Sequence, residues 1–308
     1  MLILHHYSMS PFSEKIRLMC GYAGVEWLSV TTTEAPPRPH LEKLAGGYRR
    51  IPVAQVGADI FCDSRLIAVE NAGAAGNADL NPYAADAATR ELADRYEGEL
   101  FWAAITSIPP SRILRKLFSE LTIGGAFRFL KDRAGVAKNA RLKPMARKEA
   151  VPLYQAHLEN LERHLTDSGD FLAGSAPAHL DFAAYHTLWF QHAVGGIPLP
   201  EALMQVPEWY RRVSAFGHGR VRDGSDDEAR DAASAALPAE LAIGVAGDID
   251  AGTPVQVAPV DYALDATAGV LVARDAERIV IEREDARLGR LGVHVPATGF
   301  AIARTNGS

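Results

Sequence analysis

The sequence predicts a chain in three parts: an α/β domain in residues 1–76, an all-α bundle in residues 82–216 and a small, mostly β module in residues 237–308. Three observations support this division. Strand and helix signals alternate in the first part, strand signals disappear in the second, and apolar residues return with a period of two in the third. A chain of 308 residues with 48% hydrophobic content is long enough to bury more than one core.

The first part alternates short apolar strands with helical patterns. Its predicted elements are, in order, a strand at 2–6, a helix at 13–23, strands at 26–30, 51–56 and 60–62, and a helix opening at Asp63 and Ser64. Prolines interrupt the chain between the second and third strands. The resulting order β-α-β-irregular-β-β-α is the thioredoxin plan, so we expect a thioredoxin-like fold.

The second and third parts differ in periodicity. Helical spacing is clear at Leu92, Tyr96, Leu100 and Ala103. Residues 217–236 are charged and small, which predicts a linker with at most a short exposed helix. The strands that follow contain Val255, Val270 and Ile279, among others. Because a core of about 70 residues is marginal alone, we expect this module to dock on the rest while staying separable.

Composition excludes several classes of function. A net charge of −6 argues against nucleic acid or an anionic membrane as the main partner. The first residues do not form a signal peptide, and no apolar run approaches the roughly 18 residues that span a bilayer, so we expect a cytoplasmic protein. Cys20 and Cys62 permit neither a disulfide framework nor a zinc site, and the histidines show no metal spacing, so no metal is expected.

The segment from Tyr7 to Arg17 carries the first chemical signal. A strand ends, the tetrapeptide Ser10-Pro11-Phe12-Ser13 turns, and a helix begins. Free backbone donors and the positive end of the helix dipole favour a thiolate there, and a hydroxyl that donates to the sulfur lowers its pKa further. By itself, a serine at this position is most often only a helix cap.

The second signal comes from two short segments, Arg49–Val53 and Asp63–Ser64. A serine and a backbone N–H at a helix start suit a carboxylate, while Asp63 suits an ammonium group. Taken alone, Asp63–Ser64 is usually a helix cap, and Arg49 with Arg50 is equally consistent with a solvated surface pair.

Together these motifs resemble the glutathione transferase family, particularly its serine-type tau and zeta classes. The resemblance covers about residues 1–216 and implies that glutathione binds as a co-substrate. It implies that Ser10 contacts the glutathione sulfur, with Tyr7 and Ser13 as alternatives. It also implies a cis Ile51–Pro52 bond, next to which the backbone of Val53 or its neighbour pairs with the tripeptide.

The resemblance assigns the remaining groups of the site. Asp63 and Ser64 hold the γ-glutamyl end, and Arg49 or Arg50 takes the place of a family lysine that meets the glycine carboxylate. A cleft facing the helical part holds a small electrophile, and the residues predicted to form its walls are Phe12, Tyr96 and Trp102.

The family also implies a homodimer and an enzyme that activates the thiol for conjugation or for glutathione-dependent isomerisation. The alternative is a glutathione-binding scaffold without turnover, whose β module binds a partner or ligand. A third match, from Phe171 to Asp181, resembles the segment that caps a central helix in this family. Here Ala178 replaces the usual serine or threonine, so half of the capping box is missing.

Overall fold

The computed structural model describes residues 1–141, 145–241 and 244–305. The predicted helical bundle includes residues 142–144 and the predicted β module includes 242–243 and 306–308, which lie outside the described residues. Within the described ranges the predicted fold class is confirmed: an α/β thioredoxin-like region, a helical middle part and a C-terminal set of strands.

The thioredoxin-like region keeps the predicted order and adds a short helix where only irregular chain was expected. Its elements are β1 (Leu2–His6), α1 (Pro11–Ala23), β2 (Glu26–Thr31), α2 (Pro39–Ala45), β3 (Val53–Val56), β4 (Asp59–Cys62) and α3 (Ser64–Ala75). Strand β1 lies between a parallel β2 and an antiparallel β3. The end of β1 therefore lies beside the start of β3, and the loops that follow β1 and precede β3 form one rim.

The helical part packs around a buried central helix. Its elements are α4 (Ala87–Glu97), α5 (Glu99–Ser107), α6 (Pro110–Glu120), α7 (Ile123–Asn139), α8 (Arg147–Ser168), α9 (His179–Trp189) and α10 (Gln205–Ser214). Asp181 in the first turn of α9 accepts hydrogen bonds from the backbone N–H groups of Leu172 at 2.8 Å and Ala178 at 3.0 Å, and from the Trp209 indole at 2.8 Å. The Ala178 side chain has no hydrogen-bond acceptor that could cap α9, so the Asp181 carboxylate is the side-chain group that fixes the start of this helix.

Residues 217–236, expected as a linker, contain β5 (Arg220–Asp223) and α11 (Asp226–Ser234). Strand β5 pairs in parallel with β2, and Ala229 of α11 is buried against Ile3 and Leu28. The Gln55 side-chain amide donates to the Ala229 carbonyl at 2.8 Å. The buried alanines of α11 produce only a weak apolar pattern in the sequence, and for this reason the segment was expected to be a linker.

The C-terminal strands extend the thioredoxin-like sheet. They are β6 (Pro254–Pro259), β7 (Thr267–Arg274), β8 (Arg278–Asp285), β9 (Gly289–Pro296) and β10 (Phe300–Arg304). Strand β9 pairs in parallel with β4, which gives one ten-stranded sheet in the order β10-β6-β7-β8-β9-β4-β3-β1-β2-β5. Ile60 and Cys62 share a core with Val255, Ile281 and Val293. The module thus continues the sheet of the first domain.

This continuity predicts the outcome of a truncation. Removing residues 237–308 exposes the β4 backbone edge and the apolar side chains that β9 covers, and an uncovered strand edge promotes association. We expect the shortened chain to aggregate, as measured by light scattering after size-exclusion chromatography. The full chain carrying Val272→Ser, a change at an exposed position of β7, is the control and stays monodisperse. A monodisperse truncated chain with unchanged glutathione affinity would show that the module is separable.

Candidate active site

Two adjacent compartments lie where the three parts of the chain meet. One is a polar groove of about 280 Å³ and the other a largely apolar cavity of about 400 Å³. Residues from all three parts line both compartments: Phe12, Arg50, Ile51, Phe101, Trp102 and Tyr262. A ligand in the groove and a ligand in the cavity would therefore both contact this shared set of side chains.

Ser10 lies at the cavity end of this arrangement. It is the N-cap of α1, and its Oγ accepts a hydrogen bond from the Ser13 backbone N–H at 3.2 Å. Among the described residues its hydroxyl donates to no protein acceptor. A hydroxyl carries one donor and two acceptor positions, so the capping role leaves the Ser10 proton available to a ligand in the cavity.

The two alternatives to Ser10 are placed differently. Tyr7 is half-buried and also lines the cavity. Ser13 is fully buried in the first turn of α1 and lines neither compartment, and its Oγ has no partner among the described residues. The structure therefore brings Ser10 and Tyr7 to the cavity and leaves Ser13 outside it.

The rim before β3 contributes Ile51 and Pro52. The Ile51–Pro52 peptide bond is cis, as the resemblance implies, and both residues line the groove. Val53 is the first residue of β3, where it pairs with His5 of β1 and Cys62 of β4. Because Val53 is enclosed by strands on both sides, Ile51 and not Val53 lines the two compartments.

Asp63 and Ser64 lie at the opposite end of the groove, where α3 begins. The Asp63 Oδ1 accepts from the Arg65 backbone N–H at 3.0 Å, and no salt bridge to Asp63 occurs among the described residues. Asp63 adopts a positive φ of 81°, a conformation that non-glycine residues rarely take and that recurs at functional sites. One carboxylate oxygen caps the helix while the other remains available in the groove.

A buried charge network supports the floor of the groove. The fully buried Lys15 ammonium lies 2.6 Å from Glu97, which also approaches Arg65 at 3.5 Å and His179 at 3.4 Å. Burial alone would raise the pKa of Glu97, but the Lys15 charge, the contact with His179 and the Arg65 charge hold it well below its ordinary value. The network joins α1 to α4 and thereby fixes the thioredoxin-like region against the helical part beside the site.

The two arginines before the cis bond are both engaged. Arg49 pairs with Asp132 of α7 and approaches Asp265 at 3.6 Å. Arg50 pairs with Asp261, and its guanidinium lies 3.9 Å from the centre of the Tyr262 ring. Burial alone would lower the pKa of Arg50, but the neighbouring phenols and carboxylates raise it, so Arg50 is charged.

Arg38 was missed by sequence reasoning. It lines the cavity and is only 5% exposed, yet its side chain donates to two backbone carbonyls, those of Thr33 at 2.8 Å and Arg49 at 2.7 Å. Burial lowers the pKa of Arg38 to about 10, which leaves it charged at neutral pH. A buried cation that faces a cavity without a directly paired carboxylate favours an anionic ligand group. Its position between two prolines gave no chemical signal in the sequence.

The predicted cleft walls are only partly in place. Phe12 and Trp102 line both compartments, and the Phe12 ring lies 4.7 Å from that of Phe101. Tyr96 is different: it is 3% exposed, packs against His157 in the core and lines neither compartment. Helical periodicity correctly identifies Tyr96 as part of the buried face of α4. That face packs against the core of the helical part and not against the cleft.

The β module contributes an unexpected wall. Asp261 and Tyr262, from the loop between β6 and β7, and Thr298 and Phe300, from the β9–β10 end, line the groove. The Phe300 ring stacks 6.2 Å from the ring of Tyr48. Nothing in the local sequence indicated these residues, because the pairing of β9 with β4 is what carries them to the site.

Comparisons with known proteins agree with this geometry. Residues 4–70 match the family described as glutathione S-transferase, N-terminal domain. The crystal structure of a GST-like protein from Pseudomonas syringae is 34% identical and superposes with a TM-score of 0.79 over 99% of both chains. The chain belongs to the glutathione S-transferase family. That transferase-like relative spans the β module as well.

Other transferases match over a smaller share of the chain. A delta-class glutathione transferase from Nilaparvata lugens is 18% identical, covering 71% of this chain and 91% of its own, with a TM-score of 0.49. A glutathione S-transferase from Rhodospirillum rubrum is 17% identical over 70% and 88%, with a TM-score of 0.48. No curated protein sequence matches the chain.

This family member has no reactive thiol of its own near the site. Cys20 and Cys62 are fully buried, and burial raises the pKa of Cys20 to about 12 and that of Cys62 further still. Neither forms a thiolate at neutral pH. Across residues 1–141, 145–241 and 244–305, no cluster of side chains could hold a metal ion and no helix is long and apolar enough to cross a bilayer.

Proposed function

We propose that the protein is an enzyme that binds reduced glutathione in the groove and activates its thiol for attack on a small electrophile held in the apolar cavity. The observation that carries the proposal is the sharing of walls between a polar groove and an apolar cavity, with a free serine hydroxyl where the cavity meets α1. A nucleophilic thiol must come from a ligand, because both cysteines are buried and protonated.

The charges of the site suit the two ends of the tripeptide. The γ-glutamyl end carries an ammonium and a carboxylate, which Asp63 and the first turn of α3 at Ser64 complement. The glycine carboxylate is left for the cationic rim formed by Arg38, Arg49 and Arg50. Between them, Ile51 lines the groove next to the cis bond, and we assign its backbone to pairing with the cysteinyl residue.

Thiol activation then requires stabilisation of negative charge on sulfur at the start of α1. The backbone donors of the first turn and the Ser10 hydroxyl supply it, and each unit by which they lower the thiol pKa corresponds to about 1.4 kcal/mol. The apolar walls of the cavity exclude water from the thiolate and the electrophile, which strengthens these interactions. The same chemistry supports conjugation and reversible addition during an isomerisation.

Replacing Ser10 tests the activation step. Ser10→Ala removes the donor, so the pKa of bound glutathione rises and turnover at neutral pH falls by up to about tenfold for each unit of that rise, because the thiolate fraction falls. Affinity for glutathione changes little, because one hydroxyl contact is a small part of the total. The measurement is a pH–rate profile beside a calorimetric titration. Loss of the cap also costs about 1 kcal/mol of stability, so folding is verified by thermal denaturation.

Tyr7→Phe is the matched comparison, because Tyr7 lines the same cavity. If Tyr7→Phe shifts the profile and Ser10→Ala does not, the activating hydroxyl is that of Tyr7. If neither variant changes turnover while glutathione still binds, the protein is a binding scaffold and the catalytic proposal fails.

Asp63→Asn tests the glutathione seat. Asparagine keeps an oxygen to cap α3 and tolerates the positive φ, so the variant removes the charge alone. A charge-assisted hydrogen bond contributes about 1.5–3 kcal/mol, so affinity for glutathione falls about tenfold or more, to roughly 150-fold at the upper end of that range. The measurement is isothermal titration calorimetry. Asp86→Asn, at the exposed cap of α4 outside the site, is the control and leaves affinity unchanged. Equal affinities for the two variants would contradict the assignment of Asp63.

We also propose that the protein is a cytoplasmic homodimer, as the family resemblance implies. Exposed apolar side chains support an interface: Ile123 and Phe127 of α7 are 71% and 62% exposed in the single chain. We expect twice the chain mass by light scattering at micromolar concentration, and a monomer there would contradict the dimer.

A further inference from the structure

The loop between β6 and β7, residues 260–266, reaches from the β module into the site. Arg50 donates to the Asp261 carboxylate and to the Tyr262 carbonyl. The Asp261 carbonyl in turn accepts from the Arg141 backbone N–H at 2.7 Å, just after α7. The loop is therefore tied to the thioredoxin-like region on one side and to the helical part on the other.

The Tyr262 ring lies between the thioredoxin-like region and the helical part, which both contact this loop. One face lies against the Arg50 guanidinium at 3.9 Å, within cation–π range. The Trp102 ring approaches at 5.4 Å with an interplanar angle of 89°, the edge-to-face geometry that aromatic pairs favour. These contacts fix the ring from both domains, so its position is set by the fold rather than by the loop alone.

Tyr262 borders both compartments. It is one of the side chains shared by the groove and the apolar cavity, and of those it is the one supplied by the β module. Burial raises its pKa, so the phenol stays neutral at physiological pH. A neutral, rigid ring held at the junction of two compartments limits what fits between them.

We propose that Tyr262 is a specificity-determining residue of the transferase site, whose ring forms the wall against which the electrophile packs beside the glutathione thiol. The inference rests on the proposed function and goes beyond it by assigning a role in selectivity to the β module. Removing the ring joins space in the cavity to space in the groove. The kcat/KM for a larger electrophile therefore rises relative to that for a smaller one.

The test compares two electrophiles that react by the same chemistry and differ in size, 1-chloro-2,4-dinitrobenzene and 1-chloro-2,4-dinitronaphthalene. The readout is the ratio of kcat/KM for the larger to that for the smaller at saturating glutathione. The full-length variants are Tyr262→Ala, Tyr262→Leu and Tyr262→Phe, with Val272→Ala, at an exposed position of β7, as the control. A general loss of stability lowers both rates together and leaves the ratio unchanged.

We expect the ratio to rise at least fivefold in Tyr262→Ala and by less in Tyr262→Leu, and to stay within twofold of the wild type in Tyr262→Phe and in the control. If Tyr262→Ala fails to fold, Tyr262→Leu decides. An unchanged ratio in folded variants that retain glutathione affinity overturns the role of Tyr262 and leaves the proposed function intact. Wild-type protein that binds no glutathione by calorimetry overturns the proposed function itself.

Discussion

The parallel pairing of β9 with β4 is the interaction on which the rest of the molecule depends. It joins strands more than 200 residues apart in the sequence into one sheet and places Val293 beside Ile60 in a common core. At the same junction the buried His294 ring lies 2.9 Å from Asp59, whose other oxygen accepts from the Ala239 backbone N–H. Because the β module is held in this register, its β6–β7 loop and the segment between β9 and β10 reach the groove. The site is therefore lined by the thioredoxin-like region, the helical part and the β module.

A second constraint is the burial of charge between the domains. Lys15, which is fully buried, and Glu97, whose side chain is 10% exposed, join α1 to α4, and removing the carboxylate of such a pair leaves a buried ammonium unpaired, at a cost of about 3–5 kcal/mol. The neighbouring Arg65 and Asp94 extend the network to the groove surface. The relative position of the two domains, and hence the width of the cleft, is fixed by contacts whose loss is strongly unfavourable.

Local patterns predicted the first domain well. The β1 strand, the start of α1 after Ser10 and the β3–β4 hairpin depend on neighbouring residues, and so do the helix caps at Ser10 and Asp63. Features that depend on contacts between distant parts of the chain could not be predicted from local sequence patterns. The strand pairing that makes the β module part of the sheet has no local signal, the alanines of α11 lack a strong apolar pattern, and Tyr96 shares a helical face with the core. Tyr262 enters the site only through the fold.

The position of β9 and β5 in the sheet also has a consequence for biosynthesis. The thioredoxin-like sheet receives strands on both sides from segments translated much later, so a nascent chain emerging from the ribosome carries an open β4 edge until β9 appears. Domains usually fold as they are synthesised, at about 5–20 residues per second. Here the N-terminal domain waits for roughly 230 further residues beyond β4, which is on the order of 10–50 seconds at that rate. During that interval the uncovered edge presents unpaired backbone groups to any other strand that it meets.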